Sequence, residues 1–253
     1  MIVKKTDTKG ENEMNVTLLA HTQLTEYMKD KLFVVLDDAD FMDVHDVTDG
    51  QVVALAAIRQ CYSHKTALEV LETESEKYFG EKGKEGQRLF KQIVSSGHTS
   101  TLEHISFTFA VEGVSRALLA QLTRHRHISF SVQSQRYVKL SSESRSGGFD
   151  YAIPATIEEG DLETLGYFLQ TIEDIQSFYD NLIARGIPQE DARAVLPNAA
   201  TTNLVMTLNL RTALDFYSKR KPGNGAQTEI TQLAETIKVI VVDAEPWTEH
   251  FFN

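Results

Sequence analysis

A chain of 253 residues with 42% hydrophobic and 24% charged side chains has the make-up of a soluble globular protein, built as one large domain or one domain with a helical appendage. Its formal net charge of -11 and pI near 5.2 argue against an extended surface that tracks nucleic-acid phosphates. The lone Cys61 excludes an internal disulfide framework and suits a reducing cytoplasm, and no apolar run approaches the length of a membrane span.

In chain order, residues 1–13 are polar, lack the apolar core of a signal peptide and are expected to be poorly ordered; residues 14–253 are expected to form a single domain. The run 16–22 reads as a first strand. Asp37, Asp38 and Asp40 read as a solvated loop, because no His or Glu stands at ligand spacing, and no metal site is expected. Residues 51–62 carry helical propensity and a mostly apolar face, which places Cys61 near a helix end as a buried structural thiol. Residues 66–95 are charged and helical in pattern, broken around Gly80, Gly83 and Gly86. Gly97 supplies a helix stop, and Thr99 or Ser100 offers a cap or an anion contact in a short loop. The period-two alternation of 105–111 predicts a half-buried strand.

Residues 113–124 then read as a helix with Val114, Leu118 and Leu122 on one stripe and Ser115 as cap, which aims Gln121 and Arg124 the same way. A long helical pattern covers 162–185 and ends at Gly186, a further helix spans 189–196 and stops at Pro197, and 203–209 reads as a strand. Helices over 210–221 and 226–244 and a tail opening at Pro246 complete the chain.

Between two of these elements lies an island of unlike composition. Residues 124–136 pack three Arg, two His, three Ser and two Gln into thirteen positions, and no Asp or Glu occurs from Gly113 to Ser142. A second basic region runs from Ala192 to Thr228, where Asp215 is the one acid against Arg193, Arg211, Lys219, Arg220 and Lys221. An acidic protein that clears acids from one basic island focuses positive potential on an anion, and the planar Arg fork suits phosphate or carboxylate. A pocket for a small anion fits this composition better than a solvated face.

The order Arg124-His125-Arg126, seven residues, Ser134, then Gln135-Arg136-Tyr137 resembles the signature of the flavin-dependent thymidylate synthases. Gly97-His98, Leu102-Glu103-His104, the run Arg193 to Asn198, Asn209-Leu210-Arg211, and Arg220 with Ala226-Gln227 and Glu229-Ile230 resemble other segments of that family in the same order. The resemblance implies an α+β fold, a twisted, mainly antiparallel sheet flanked by helices, assembled as a homotetramer whose active sites are shared between chains. It implies methylation of dUMP to dTMP in the cytoplasm, with methylenetetrahydrofolate as carbon donor and NADPH as reductant through FAD. By the same resemblance, Gln121, Arg124, Ser134, Gln135, Arg136, Arg193 and Arg220 contact dUMP, and His98, Ser100, Arg124, His125, Arg126, Asn209 and Asn224 contact FAD. Arg220 would polarise the pyrimidine, and Ser134 would position dUMP rather than attack it, since no general base is evident beside it. Departures from the family pattern fall at Val132-Gln133, Asp215 and Asn224-Gly225. A non-catalytic nucleotide-binding protein and an RNA-binding protein are the rival readings.

Overall fold

The structure, a computed structural model, describes residues 14–36, 47–80 and 84–252; the expectations for residues 1–13 and for Asp37, Asp38 and Asp40 lie outside them. Four strands, β1 (Asn15–His21), β2 (Ser106–Ser115), β3 (Ser129–Val132) and β4 (Thr201–Asn209), form one sheet in the order β1-β2-β4-β3. Pairing runs antiparallel. Along β1 and β2, Asn15 meets Glu112 and Thr22 meets Ser106, so one numbering rises as the other falls. Along β2 and β4 the partners are Gly113 with Asn203, Thr108 with Thr207, and Ile105 with Leu210. The fold is α+β, as expected.

Contacts group the described residues into two compact units. The first comprises 14–17, 110–206 and 226–233; the second comprises the described parts of 18–109, 207–225 and 234–252.

In the second unit, α1 (Glu26–Leu36), α2 (Asp49–Tyr62), α3 (Ala67–Phe79) and α4 (Lys84–Ser95) pack in succession, α1 and α2 each lying on α3 and α3 on α4. Both α2 and α3 start at capping boxes, Thr48 with Gln51 and Thr66 with Glu69, in which side chain and backbone satisfy each other's orphan donors. Gly80 caps α3, whereas Gly86 sits inside α4, where a Cβ would come within 2.6 Å of the Tyr78 carbonyl; that glycine lets the helix pass close rather than breaking it. The stop at Gly97 is a Schellman closure: its φ is 76°, its N–H reaches the Val94 carbonyl and that of His98 reaches Ile93. Buried Leu55, Ile58, Phe90, Leu102, Phe107 and Phe216 form the core here. Cys61 corrects the reading of a buried thiol. The covered stripe Ala54, Leu55, Ile58 runs out before the last turn of α2, and Cys61 is exposed beside exposed Tyr62.

In the first unit the helix predicted from residue 113 is shorter. Residues 113–115 remain in β2, and α5 spans Arg116–Leu122, capped by Ser115, whose Oγ accepts the Leu118 N–H at 3.0 Å. Ser115 is in turn held by Glu229, at the start of α10 (Thr228–Ala244), through its N–H at 2.7 Å and its Oγ at 2.5 Å. The short α6 (Ala155–Glu158) precedes α7 (Leu162–Ala184), which ends, as predicted, at Gly186 with φ 82°. Phe149, Ile172 and Ala200 are buried together with Leu140, Phe168 and Ile175 against them, and Gln176 of α7 clasps the backbone of Phe149 and Leu140. The helix predicted over 189–196 is an α turn, α8 (Gln189–Ala192), tightening into a 3-10 turn at Arg193–Val195, because Pro197 leaves no room for a further α turn. Helix α9 (Leu210–Arg220) follows β4 directly and belongs to the second unit.

Candidate functional site

The basic island is a turn, a strand and a second turn. Helix α5 carries Gln121 on its last turn, and the chain then coils through Thr123 to Ile128, held by the Arg124 N–H to Gln121, His125 N–H to Leu122 and Ile128 N–H to His125 carbonyl bonds. This coil turns the His125 imidazole inward, 8% exposed, and leaves Arg124 and Arg126 on either side of it in solvent. Among the described residues neither of these two guanidiniums has an ion pair or hydrogen bond. Two exposed guanidiniums flanking a buried imidazole, in a stretch with no Asp or Glu from Gly113 to Ser142, could receive an anion.

Strand β3 leads from that edge to the second turn. Its Ser-Phe-Ser-Val sequence alternates exposed and half-buried residues, and the Gln133 N–H continues the pairing to Asn203 O at 2.8 Å. Ser134 then shapes a turn: its carbonyl accepts the Tyr137 and Val138 N–H groups, and its Oγ accepts the Arg136 N–H at 3.2 Å. The hydroxyl oxygen is therefore engaged as an acceptor from backbone, and no His, Asp or Glu side chain bonds it among the described residues. Gln135 is half-buried within the same turn. Arg136 is exposed, its Nε and Nη2 each 3.0 Å from the Glu190 carboxylate, while the Gln189 amide donates to its carbonyl.

Arg116 and Arg193 were not both foreseen. Arg193, named by resemblance, has an exposed side chain whose Nε donates to the Glu190 carbonyl at 2.9 Å. Arg116 has no role in the sequence reading beyond its membership of the acid-free window. It is half-buried, its Nη2 donates to the Gln133 carbonyl at 3.2 Å, and its Nε is buried without an acceptor. Burial, and then the neighbouring Arg193, hold this guanidinium below its ordinary pKa. A partly desolvated guanidinium with a second one beside it is a local concentration of positive charge that an anion would relieve. Gln121, by contrast, is already engaged, its amide donating to Gln227.

The second unit holds the other candidates. His98 precedes the 3-10 turn Thr99–His104 and bonds the Tyr62 hydroxyl through Nδ1, while Ser100 lies exposed on that turn and caps nothing. Asn209 caps α9, its Oδ1 accepting the Thr212 N–H at 2.9 Å, which leaves its amide hydrogens for a ligand. Arg220 closes the same helix, half-buried and engaged; Asn224 follows in a Gly-flanked turn with its amide on the Ser218 carbonyl. Asp215 pairs with Lys219 at 2.8 Å, and Glu103 pairs with Arg211. Thus the first unit gathers Gln121, Arg124, His125, Arg126, Ser134, Gln135, Arg136 and Arg193, and the second His98, Ser100, Asn209, Arg220 and Asn224. Sequence reasoning gave no role to Tyr62, Gln189 and Glu190, and counted Arg116 only among the cations of the acid-free window. Of these only Glu190 carried a signal, an acid three residues before an arginine on a short helical run.

Residues 43–247 match the family described as thymidylate synthase complementing protein. A flavin-dependent thymidylate synthase of Clostridium tetani is 38% identical over 200 residues, which cover 73% of this chain and 74% of the relative. One from Geobacter sulfurreducens is 38% identical over 202 residues, covering 80% and 81%. Among solved structures, a UMP/dUMP methylase PolB from Streptomyces cacaoi bound with 5-Br dUMP shares the fold, with a TM-score of 0.69 at 21% identity over 97% of this chain and 96% of that one. No described helix is long and apolar enough to cross a membrane.

Proposed function

Because the chain belongs to the thymidylate synthase complementing protein family, the flavin-dependent thymidylate synthases, we propose that it methylates dUMP to dTMP, taking carbon from methylenetetrahydrofolate and electrons from NADPH through FAD. The observation that supports this reading is the Arg124-His125-Arg126 turn, on which both guanidiniums are exposed and, among the described residues, carry no ion pair, in the same compact unit as Arg136 and Arg193.

FAD, when bound, supplies hydride chemistry that no amino-acid side chain offers. The residues present fit such a group. Taken unit by unit, Arg124 and Arg126 in the first have guanidiniums with no ion pair among the described residues and would suit its phosphates; in the second, Asn209 keeps its amide hydrogens and exposed Ser100 its hydroxyl, while His98 and Asn224 would first exchange or share a present partner. His125, buried, would anchor the turn that carries the two arginines.

Toward dUMP, Arg136 and Arg193 carry charge for the phosphate, with Ser134 and Gln135 shaping the turn between the island and Arg136. Gln121 would exchange its bond to Gln227 for the nucleotide. Arg220 would stabilise negative charge that develops on the pyrimidine, an electrostatic role that requires a fixed cation rather than a nucleophile. Cys61, exposed on the last turn of α2, and Ser134, whose Oγ accepts the Arg136 N–H, have no His, Asp or Glu side chain bonded to them among the described residues, so neither has the base that covalent attack calls for. As the resemblance implies, the protomers assemble as a homotetramer and each active site draws residues from several chains.

The test is the visible spectrum of the purified protein before and after FAD, then under anaerobic NADPH with and without dUMP. Retained flavin, reduced faster when dUMP is present, followed by dTMP on addition of methylenetetrahydrofolate, is the expected result. A protein that binds dUMP and never retains FAD would replace this reading with that of a nucleotide-binding protein.

A further inference from the structure

Glu190 holds both of the arginines that face the nucleotide in the proposed reading. Its carboxylate sits 3.0 Å from Nε and Nη2 of Arg136, and its carbonyl accepts Arg193 Nε at 2.9 Å. The adjacent Gln189 amide bonds the Arg136 carbonyl, so the first turn of α8 is fastened to Arg136 from two sides. Nearby, Arg193 presses on Arg116, whose buried Nε has nothing to bond. The Glu190 carboxylate is thus the counter-charge of Arg136, and its backbone carbonyl the anchor of Arg193.

We propose that Glu190 is a positioning residue that keeps the place of the substrate's phosphate on Arg136 and is displaced when the phosphate arrives. This rests on the reading of dUMP as substrate. The contact has the right strength for the task. Both partners are about half exposed, 55% and 48% by side chain, and an exposed pair of this kind shifts an equilibrium by a factor of about two to five. That is enough to keep Arg136 ordered and away from other acids, and too little to resist a phosphate, which brings more charge and three acceptor oxygens. Displacement of the carboxylate leaves the Gln189 bond to the Arg136 carbonyl and the Glu190 carbonyl on Arg193 in place, so the backbone of α8 keeps both arginines positioned while the anion takes over the charge.

The experiment is a calorimetric titration of Glu190→Gln and wild type with three probes: dUMP, deoxyuridine and inorganic phosphate. The glutamine keeps the side-chain shape and the backbone carbonyl but removes the charge. The expected result is dUMP and inorganic phosphate bound about two- to fivefold more tightly by the variant, with deoxyuridine unchanged. Adding Arg136→Ala should erase the gain, so that Arg136→Ala with and without Glu190→Gln bind dUMP alike. Weaker or unchanged phosphate binding by Glu190→Gln would overturn the proposal, as would an equal gain for deoxyuridine. Wild-type protein that binds inorganic phosphate but not dUMP would instead remove the dUMP reading while leaving the placeholder standing. Glu190→Asp, which retains the charge on a shorter stem, should bind phosphate between the two and guards against a fold defect as the cause.

Discussion

Replacement of Ser115 by alanine tests how the island is held. The hydroxyl makes two bonds at once: it accepts the Leu118 N–H as the cap of α5 and donates to the Glu229 carboxylate at 2.5 Å. Loss of an N-cap costs about 1 kcal/mol, and loss of a bond to a charged partner about 1.5–3 kcal/mol, so Ser115→Ala should destabilise by roughly 2–4 kcal/mol. Glu229→Ala removes the acceptor for the Ser115 N–H as well, leaving a donor stranded beside a side chain that is only 3% exposed, and should cost at least as much. Glu229→Gln should cost less than either, about 1 kcal/mol, because its oxygen can keep the N–H bond and its amide can donate to the hydroxyl. Urea unfolding at fixed protein concentration, followed by circular dichroism for the four proteins and the double alanine variant, gives the coupling. The two alanine changes should be strongly non-additive, since each removes the same contact. A Ser115→Ala variant within about 0.5 kcal/mol of wild type would refute the reasoning, since it would make the cap and its carboxylate as inconsequential as an ordinary surface site.

Arg193→Ala should weaken dUMP binding by about 2–5 kcal/mol if the guanidinium forms a desolvated contact, and an unchanged dissociation constant by calorimetry would remove it from the site. Ser134→Ala should retain measurable dTMP formation, whereas turnover falling to background in a folded variant would argue for covalent attack. Glu245 offers a pH test. It is fully buried, and burial raises its carboxyl above the usual range despite bonds from Thr48 and Trp247 and a His21 nitrogen 4.0 Å away. The folded chain then binds the proton more tightly than the unfolded chain, so the stabilisation is complete below the ordinary carboxylate range and is lost as pH rises through the raised value. Thermal midpoints from pH 4 to 8 should fall more steeply for wild type than for Glu245→Gln, and parallel profiles would contradict the assignment.

Periodicity and punctuation made most of the fold legible. Glycines with nothing to hide announced the ends of α4 and α7, and Gly97 and Gly186 both adopt the positive φ that the stop requires. The apolar alternation of β2 and β4 was plain for the same reason, since their inward residues are fully buried. Strand β3 was not, because serine fills its exposed positions and the same residues served the reading of a polar island. Helix α1 has exposed Tyr27, Phe33 and Val34, which blur the contrast between its faces. Composition located the cationic island but could not say which cations are satisfied. Arg136 pairs with the Glu190 carboxylate, whereas Arg116 bonds only the Gln133 carbonyl and leaves its Nε without an acceptor, and that distinction exists only once residues far apart in sequence are placed in space. Cys61 shows the converse failure: a helix face predicts burial only as far as something covers it.

The contact between Thr48 and Glu245 joins positions 197 apart, whereas Thr48 and Gln51, three apart, already close the start of α2. Six doublings of loop length separate the two contacts, a difference of about 3–4 kcal/mol in closure entropy. The cap with Gln51 therefore has the means to form during the first collapse, and the Glu245 contact must wait for distant chain to arrive. The chain's single tryptophan, Trp247, donates its indole N–H to that same carboxylate at 2.6 Å. Its fluorescence should consequently lag behind the recovery of helical circular dichroism in stopped-flow refolding, so that the molecule carries its own clock for the step that completes the second unit.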